Sequence, residues 1–416
     1  MDIRTEIEER LLARPLPAGF PEGIVLPDYG GFAITSVPSL IERVFGAVEG
    51  ETPLSEAIDP PRYERVILLI IDGLGYRKIT ELFAGHDDLA LRDLSERGRF
   101  IPVTSVFPAT TTAALAAYST GLPPSAHGLI GYRLYLRETA AITNMIHLSL
   151  VGTTKDGTAI EAGLDPDKLL HHPTLYEKLQ PRGVATHTLL PAYIVKSGLS
   201  KLLYRGSTAI HPAVSFPDML VAARGILRDA KEPTLVTLYW PSLDSVGHVR
   251  GPESDAYTAE VLSIDYAIRR ELLGRVKQTL LVVSADHGFV PMEKSDYVNL
   301  SSLPGLKDAA ILPPVGEPRA SYLYLKNGSR DRLAGEEPHL LPGGLFSLSA
   351  RRALASGLLG KGEIHPEVKN RLGDLVIVST GRAGIHHPYP DARFLRGMHG
   401  GLTAEEMLVP LIVCEL

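Results

Sequence analysis

Three apolar runs interrupt the otherwise mixed chain: Val66 to Ile71, Pro233 to Trp240 and Thr279 to Ser284. None alternates polar with apolar positions. Each therefore predicts a strand buried on both faces, as in a parallel sheet covered by helices. Between the last two runs, Val261, Ile264, Ile268 and Leu272 step by three and four, which predicts a long helix. Ser39 to Val48 has the same helical spacing, and Leu408 to Val413 predicts a further buried strand. The expected fold class is α/β: three α/β/α layers around a mostly parallel central sheet, with an inserted smaller α+β subdomain. Pro- and Gly-rich residues 15–36 read as a surface arm. The expected organisation is an arm and leading helix over 1–60, then a catalytic core over 61–290 with a cap segment at 128–220. An inserted subdomain comes next over 291–394, where Ala320 to Leu325 and Asp374 to Val378 look like short strands, and residues 395–416 return to the core.

Composition narrows the function classes. The 416 residues include 44% hydrophobic and 22% charged positions, an ordinary globular balance. Lys and Arg number 42 against 48 Asp and Glu, a formal net charge of −6, so no overall basic surface invites nucleic acid. The single cysteine, Cys414, excludes an intrachain disulfide, a thiolate metal cluster and a dithiol redox pair. No apolar run approaches the roughly 20 residues of a membrane span. The first fourteen residues are charged throughout and no apolar signal core succeeds them, so a cytoplasmic location is the expectation.

Chemistry enters at the strand ends, where open α/β sheets bind ligands. The first run stops at Asp72-Gly73, the second leads into Asp244-Ser-Val-Gly-His248, and the third ends in Asp286-His287-Gly288. His399 lies between glycines in Gly397-Met-His-Gly-Gly401. Singly, these residues read equally well as turn or cap carboxylates and loop histidines. Together they supply oxygen and nitrogen donors enough for two divalent ions, without thiolate. Two such ions can clamp the attacking and leaving oxygens of a phosphoryl transfer. A nucleophile is available in Thr110-Thr111-Thr112, which opens an Ala-rich helix ending at Thr120-Gly121. A helix start holds anions, although these threonines could equally be simple caps.

The ordered set Asp72, Phe107-Pro-x-x-Thr111, Thr120-Gly-Leu-Pro-Pro-x-x-His127-Gly128, Asp244-x-x-x-His248-x-x-Gly-Pro252, Asp286-His287-Gly288 and His399-Gly resembles the alkaline phosphatase superfamily. It is most similar to the nucleotide pyrophosphatase/type I phosphodiesterase branch. The resemblance implies two zinc ions, with manganese as the alternative. Asp72, Asp286, His287 and the nucleophile Thr111 would hold one; Asp244, His248 and His399 would hold the other. Thr110 is the runner-up nucleophile. The implied activity is hydrolysis of phosphodiester or phosphoanhydride bonds in a small, nucleotide-like phosphate ester through a covalent phosphothreonine. A phosphomonoesterase with the same metals is the nearest alternative, and a phosphoryl transferase or non-catalytic metal-binding scaffold the more distant ones.

Thr112-Ala113-Ala114 stands where the family's diesterases carry Phe-Pro-Asn, which makes Thr112 a candidate substrate contact. His127 is implied to fix a turn. The pairs His171-His172 and His386-His387 read as solvated loops, and Glu317-Pro-Arg319 as an exposed turn.

Overall fold

The computed structural model describes residues 2–48, 50–329, 333, 341–389 and 393–416. The central sheet has seven strands, in the order Arg99–Thr104, Leu408–Glu415, Leu280–Ser284, Arg65–Ile71, Thr234–Trp240, Ala185–Pro191 and Ala209–Ala213. Arg65–Ile71 sits at its middle, parallel to both neighbours. Only Leu408–Glu415 runs against the others. The continuous apolar runs have the burial they predict: every residue of Leu280–Ser284, and all but the first of Arg65–Ile71, is buried. Both faces of these strands are therefore covered, as a sheet without polar alternation requires.

The long helix is Asp255–Glu271, capped by the Ser254 side chain, with Val261, Ile264 and Ile268 turned inward. The helical spacing at Ser39 to Val48 corresponds to the helix Val37–Val44, and an earlier helix, Ile3–Leu12, precedes the arm. The arm is not a loose wrapper. Val25 donates to the Leu402 carbonyl, Asp28 N–H donates to Thr104 Oγ1 at 2.8 Å, and Phe32 and Ile34 are buried. Thr104 N–H donates to the Phe32 carbonyl at 2.8 Å, which pairs the arm with the edge strand Arg99–Thr104.

A second sheet, antiparallel throughout, has the order Leu345–Ser349, Leu375–Ser379, Ala320–Leu323, Val315–Glu317, Arg133–Leu136, Ala141–Asn144 and Ser149–Leu150. Four of its strands come from the 291–394 stretch and three from residues 133–150. Gly316 pairing with Arg133 joins the two groups. A separate antiparallel pair, Val290–Pro291 with Gly397–Met398, carries the chain back to the core and brings His399 to the end of the strand Leu280–Ser284. Among the described residues, no helix is long and apolar enough to cross a membrane.

Candidate metal centre and nucleophile

Asp72 stands at the end of the central strand, and its N–H donates to the Trp240 carbonyl at 3.0 Å, which ties two adjacent strand ends together. Gly73 then turns with φ +81°; a Cβ there would lie 2.6 Å from the Phe289 ring and 3.2 Å from Asp244 Cα. Only glycine allows these segments to approach so closely. Asp244 and His248 lie one turn apart on the short helix Ser242–Arg250, not in the loop that the strand-to-turn reading suggests. Thr111 is the first residue of the helix Thr111–Thr120, which Gly121 ends at φ +75°.

Two groups of donor atoms converge. His287 Nε2 lies 3.3 Å from Thr111 Oγ1, 3.5 Å from Asp72 Oδ1 and 3.4 Å from Asp286 Oδ2. Beside it, His248 Nε2 lies 3.3 Å from Asp244 Oδ1 and 3.3 Å from His399 Nε2, and His399 Nε2 lies 3.8 Å from Asp244 Oδ1. The His287 and His399 rings stack, with centroids 3.5 Å apart and planes 11° from parallel. All seven side chains singled out as metal ligands from the sequence thus meet at one end of the sheet.

The donor chemistry fits cations. Each histidine points Nδ1 at a backbone carbonyl: His248 at Gly397 (2.8 Å), His399 at Ala109 (2.9 Å) and His287 at Gly288 (3.2 Å). A carbonyl only accepts, so Nδ1 carries the proton and Nε2 presents its lone pair inward. Asp72 Oδ1, Asp244 Oδ1 and Asp286 Oδ2 are buried with no hydrogen-bond partner. Three unpartnered carboxylate oxygens and three imidazole lone pairs in one cluster repel one another unless cations or protons lie among them. Bond lengths of 2.0–2.1 Å at tetrahedral angles imply ligand–ligand separations of about 3.3 Å, close to most of those above.

Burial, and then the charges of Asp286 and Asp244, hold the Asp72 carboxyl well above its usual range. Burial likewise raises Asp244. Burial, with His287 and His248 alongside, holds His399 far below an ordinary imidazole. These are the shifts of a like-charge cluster out of water.

A cavity of about 350 Å³ opens over the cluster, lined by Thr110, Thr111, Thr112, Asp244, His248 and His399 on one side. The second sheet supplies the other wall. Thr112 lines the cavity, and its hydroxyl is buried without a partner. Ala114 is wholly buried in the helix. The helix's first i→i−4 bond runs from Ala114 N–H to the Thr110 carbonyl, so the N–H groups of Thr111, Thr112 and Ala113 precede the helical ladder.

Several participants are not evident in the sequence pattern. Tyr239 donates its hydroxyl to Asp72 Oδ2, the oxygen opposite the unpartnered one. Glu317, expected in an exposed turn, is buried because Val315–Glu317 is an inner strand of the second sheet. Its Oε1 accepts from Thr110 Oγ1 at 2.6 Å and from Tyr132 N–H at 2.8 Å, and burial lifts its pKa to about 7. Arg319 is buried as well, paired with Glu406 at 2.6 Å. His386 and His387 are half-buried in the cavity wall, not solvated. His127 is wholly buried, and its Nδ1 accepts from Leu129 N–H at 3.1 Å across the turn.

The model of the type I phosphodiesterase/nucleotide pyrophosphatase family matches residues 66–402. Two curated relatives, bis(5'-adenosyl)-triphosphatase ENPP4 of Bos taurus and of Homo sapiens, are 33% identical over 131 residues and 32% identical over 133 residues. Each match covers 28% of this chain and 29% of the relative, so the chain aligns with under a third of their length. Among solved structures, murine ectonucleotide pyrophosphatase/phosphodiesterase 5 superposes with a TM-score of 0.62 at 19% identity, covering 83% of this chain and 87% of that one. Its inactive threonine-to-alanine variant in complex with AMP superposes equally well. Phosphonoacetate hydrolase from Sinorhizobium meliloti 1021, in complex with phosphonoformate, gives 0.63 at 23% identity, covering 84% and 89%.

Proposed function

The chain belongs to the type I phosphodiesterase/nucleotide pyrophosphatase family, and from that premise we propose that it is a metal-dependent hydrolase of phosphodiester or phosphoanhydride bonds in small, nucleotide-like esters. Thr111 is the nucleophile. The observation that carries this reading is the grouping of Thr111 Oγ1, Asp72 Oδ1 and Asp286 Oδ2 within 3.5 Å of His287 Nε2, at a helix start facing the cavity.

Asp72, Asp286, His287 and Thr111 would hold one divalent ion, and Asp244, His248 and His399 a second; zinc suits the nitrogen and carboxylate donors. Bound there, such ions lower the pKa of a coordinated hydroxyl and offset charge that develops on the attacking and leaving oxygens. The remaining work falls to the chain. The N–H groups of Thr111, Thr112 and Ala113, which precede the helical ladder, would receive a non-bridging phosphate oxygen. Thr111 Oγ forms a bond to phosphorus as the bond to the leaving oxygen breaks, and the leaving group departs into the cavity. Water then cleaves the threonine ester, releasing the phosphate product and restoring the hydroxyl. Glu317 orients Thr110, the residue before the nucleophile, and the second sheet shields the intermediate. Relatives whose names and complexes specify bis(5'-adenosyl)-triphosphate, AMP and a phosphonate support a small anionic substrate.

Rates on bis-p-nitrophenyl phosphate and p-nitrophenyl phosphate test the reading. A diesterase prefers the first by at least tenfold. Preference for the second assigns the site to monoesters, and turnover of neither removes the hydrolase assignment.

A further inference from the structure

A second group of donors lies outside the catalytic cluster. His171 and His172 precede Pro173, and Glu363 lies in the loop after Gly362. The fold brings these distant segments together. Glu363 Oε1 is 3.6 Å from His172 Nε2 and 3.9 Å from His171 Nε2, and one donor atom from each of the three residues lies within 4.8 Å of the other two. The two imidazole rings are 4.2 Å apart, tilted by 36°. His172 Nε2 is buried and makes no hydrogen bond. Neither Glu363 contact is short enough to be a hydrogen bond.

Both loops are anchored from behind. Arg205 donates to the His172 carbonyl at 3.0 Å, and the Thr174–Glu177 capping box starts the helix just past Pro173. On the other side, His365 N–H donates to the Ser125 carbonyl at 2.7 Å. The His365 ring lies 5.1 Å from that of His171, but both its nitrogens face other groups: Nδ1 accepts from Glu367 N–H at 3.1 Å, and Nε2 faces the Lys168 carbonyl at 3.3 Å. It is therefore a wall of the site and not a donor.

We propose that His171, His172 and Glu363 form a structural metal site that clasps the loop 170–173 to the loop 361–366. Two imidazoles and a carboxylate are a zinc-type donor set, whereas calcium and magnesium require all-oxygen sites. Separations of 3.6–4.8 Å need only small side-chain turns to meet one ion, with water completing its shell. The clasp stands beside the His127-Gly128 turn, where a Cβ on Gly128 would lie 2.8 Å from the His365 ring, so it steadies the far end of the segment that begins with Thr111. The proposal is independent of the reaction assigned to the catalytic cluster.

Zinc bound per chain, measured by elemental analysis after saturation and gel filtration, tests it. Glu363→Gln and His171→Ala, both at exposed side chains, and His172→Ala each retain one zinc fewer than the unmodified chain. The rise in melting temperature that zinc gives the unmodified chain shrinks in all three, and bis-p-nitrophenyl phosphate turnover stays within twofold. Equal zinc content in Glu363→Gln, His171→Ala and the unmodified chain overturns the site, as does zinc at these residues that is lost on gel filtration.

Discussion

His248 Nε2 and His399 Nε2 face each other at 3.3 Å while each ring commits its Nδ1–H to a backbone carbonyl. Two lone pairs held that close are stable only with a cation or a shared proton between them. Metal binding should therefore displace protons. Burial has already raised Asp72 and Asp244, so the metal-free cluster takes up protons more readily than ordinary carboxylates do, and zinc must displace them. Calorimetric zinc titrations in buffers of different ionisation enthalpy should show proton release that grows as pH falls. Release that does not change with pH would contradict the cluster's role as ligands.

Tyr239 fixes Asp72 from behind. Tyr239→Phe keeps the ring and removes the donor to Asp72 Oδ2. Loss of an outer-shell bond of this kind weakens metal affinity by about 10–100-fold. The expected result is a matching rise in the zinc concentration that half-restores activity to chelated protein, with little change in kcat at saturating zinc. An unaltered zinc requirement would mean that the bond does not tune the ligand.

Glu317 serves as an acceptor for the nucleophile loop. Glu317→Ala leaves the Thr110 hydroxyl and the Tyr132 N–H without their partner, at about 1–3 kcal/mol. Loss of this anchor beside Thr111 lowers kcat about tenfold. Glu317→Gln retains an oxygen at the same place and should recover most of the rate. A Gln variant as slow as the Ala variant would show that the carboxyl's charge, not its acceptor oxygen, is the decisive property.

His127 makes stability pH-dependent. Burial, with the His365 and His172 charges, lowers its pKa from 6.5 to about 3 in the folded chain. The unfolded chain takes up a proton near 6.5 that the folded chain refuses, so this contribution is full above pH 6.5 and is lost as pH falls toward 3. His127→Asn offers an oxygen to Leu129 N–H but does not titrate. The stability gap between the two proteins, from urea unfolding, should narrow as pH drops from 7 to about 4. A constant gap would place His127 outside the acid response.

The core of this fold is legible in the chain because its strands are buried on both faces and so appear as unbroken apolar runs. Asp72, Asp286 and His287 stand directly behind such runs, and the parallel sheet gathers the residues just beyond its strand ends. The Asp244–His248 spacing is equally visible, although its helix is not, since Gly247 and Pro252 suggest a turn. Glu317 cannot be seen this way. Its burial depends on Gly316 pairing with Arg133, a contact between segments with no shared pattern. Tyr239 is hidden inside an apolar run, where nothing marks its hydroxyl as a ligand's partner. The His171, His172 and Glu363 grouping likewise exists only after two remote loops are packed together.

The decisive group is the Thr111 hydroxyl, the proposed nucleophile. Mass spectrometry of protein mixed with bis-p-nitrophenyl phosphate and quenched in acid within one turnover should find a p-nitrophenyl phosphoryl group on the peptide that contains Thr111. The Thr111→Ala protein should still bind zinc through Asp72, Asp286 and His287, carry no adduct and lose turnover by several orders of magnitude. An adduct on Thr110, or undiminished turnover in Thr111→Ala, would contradict that role.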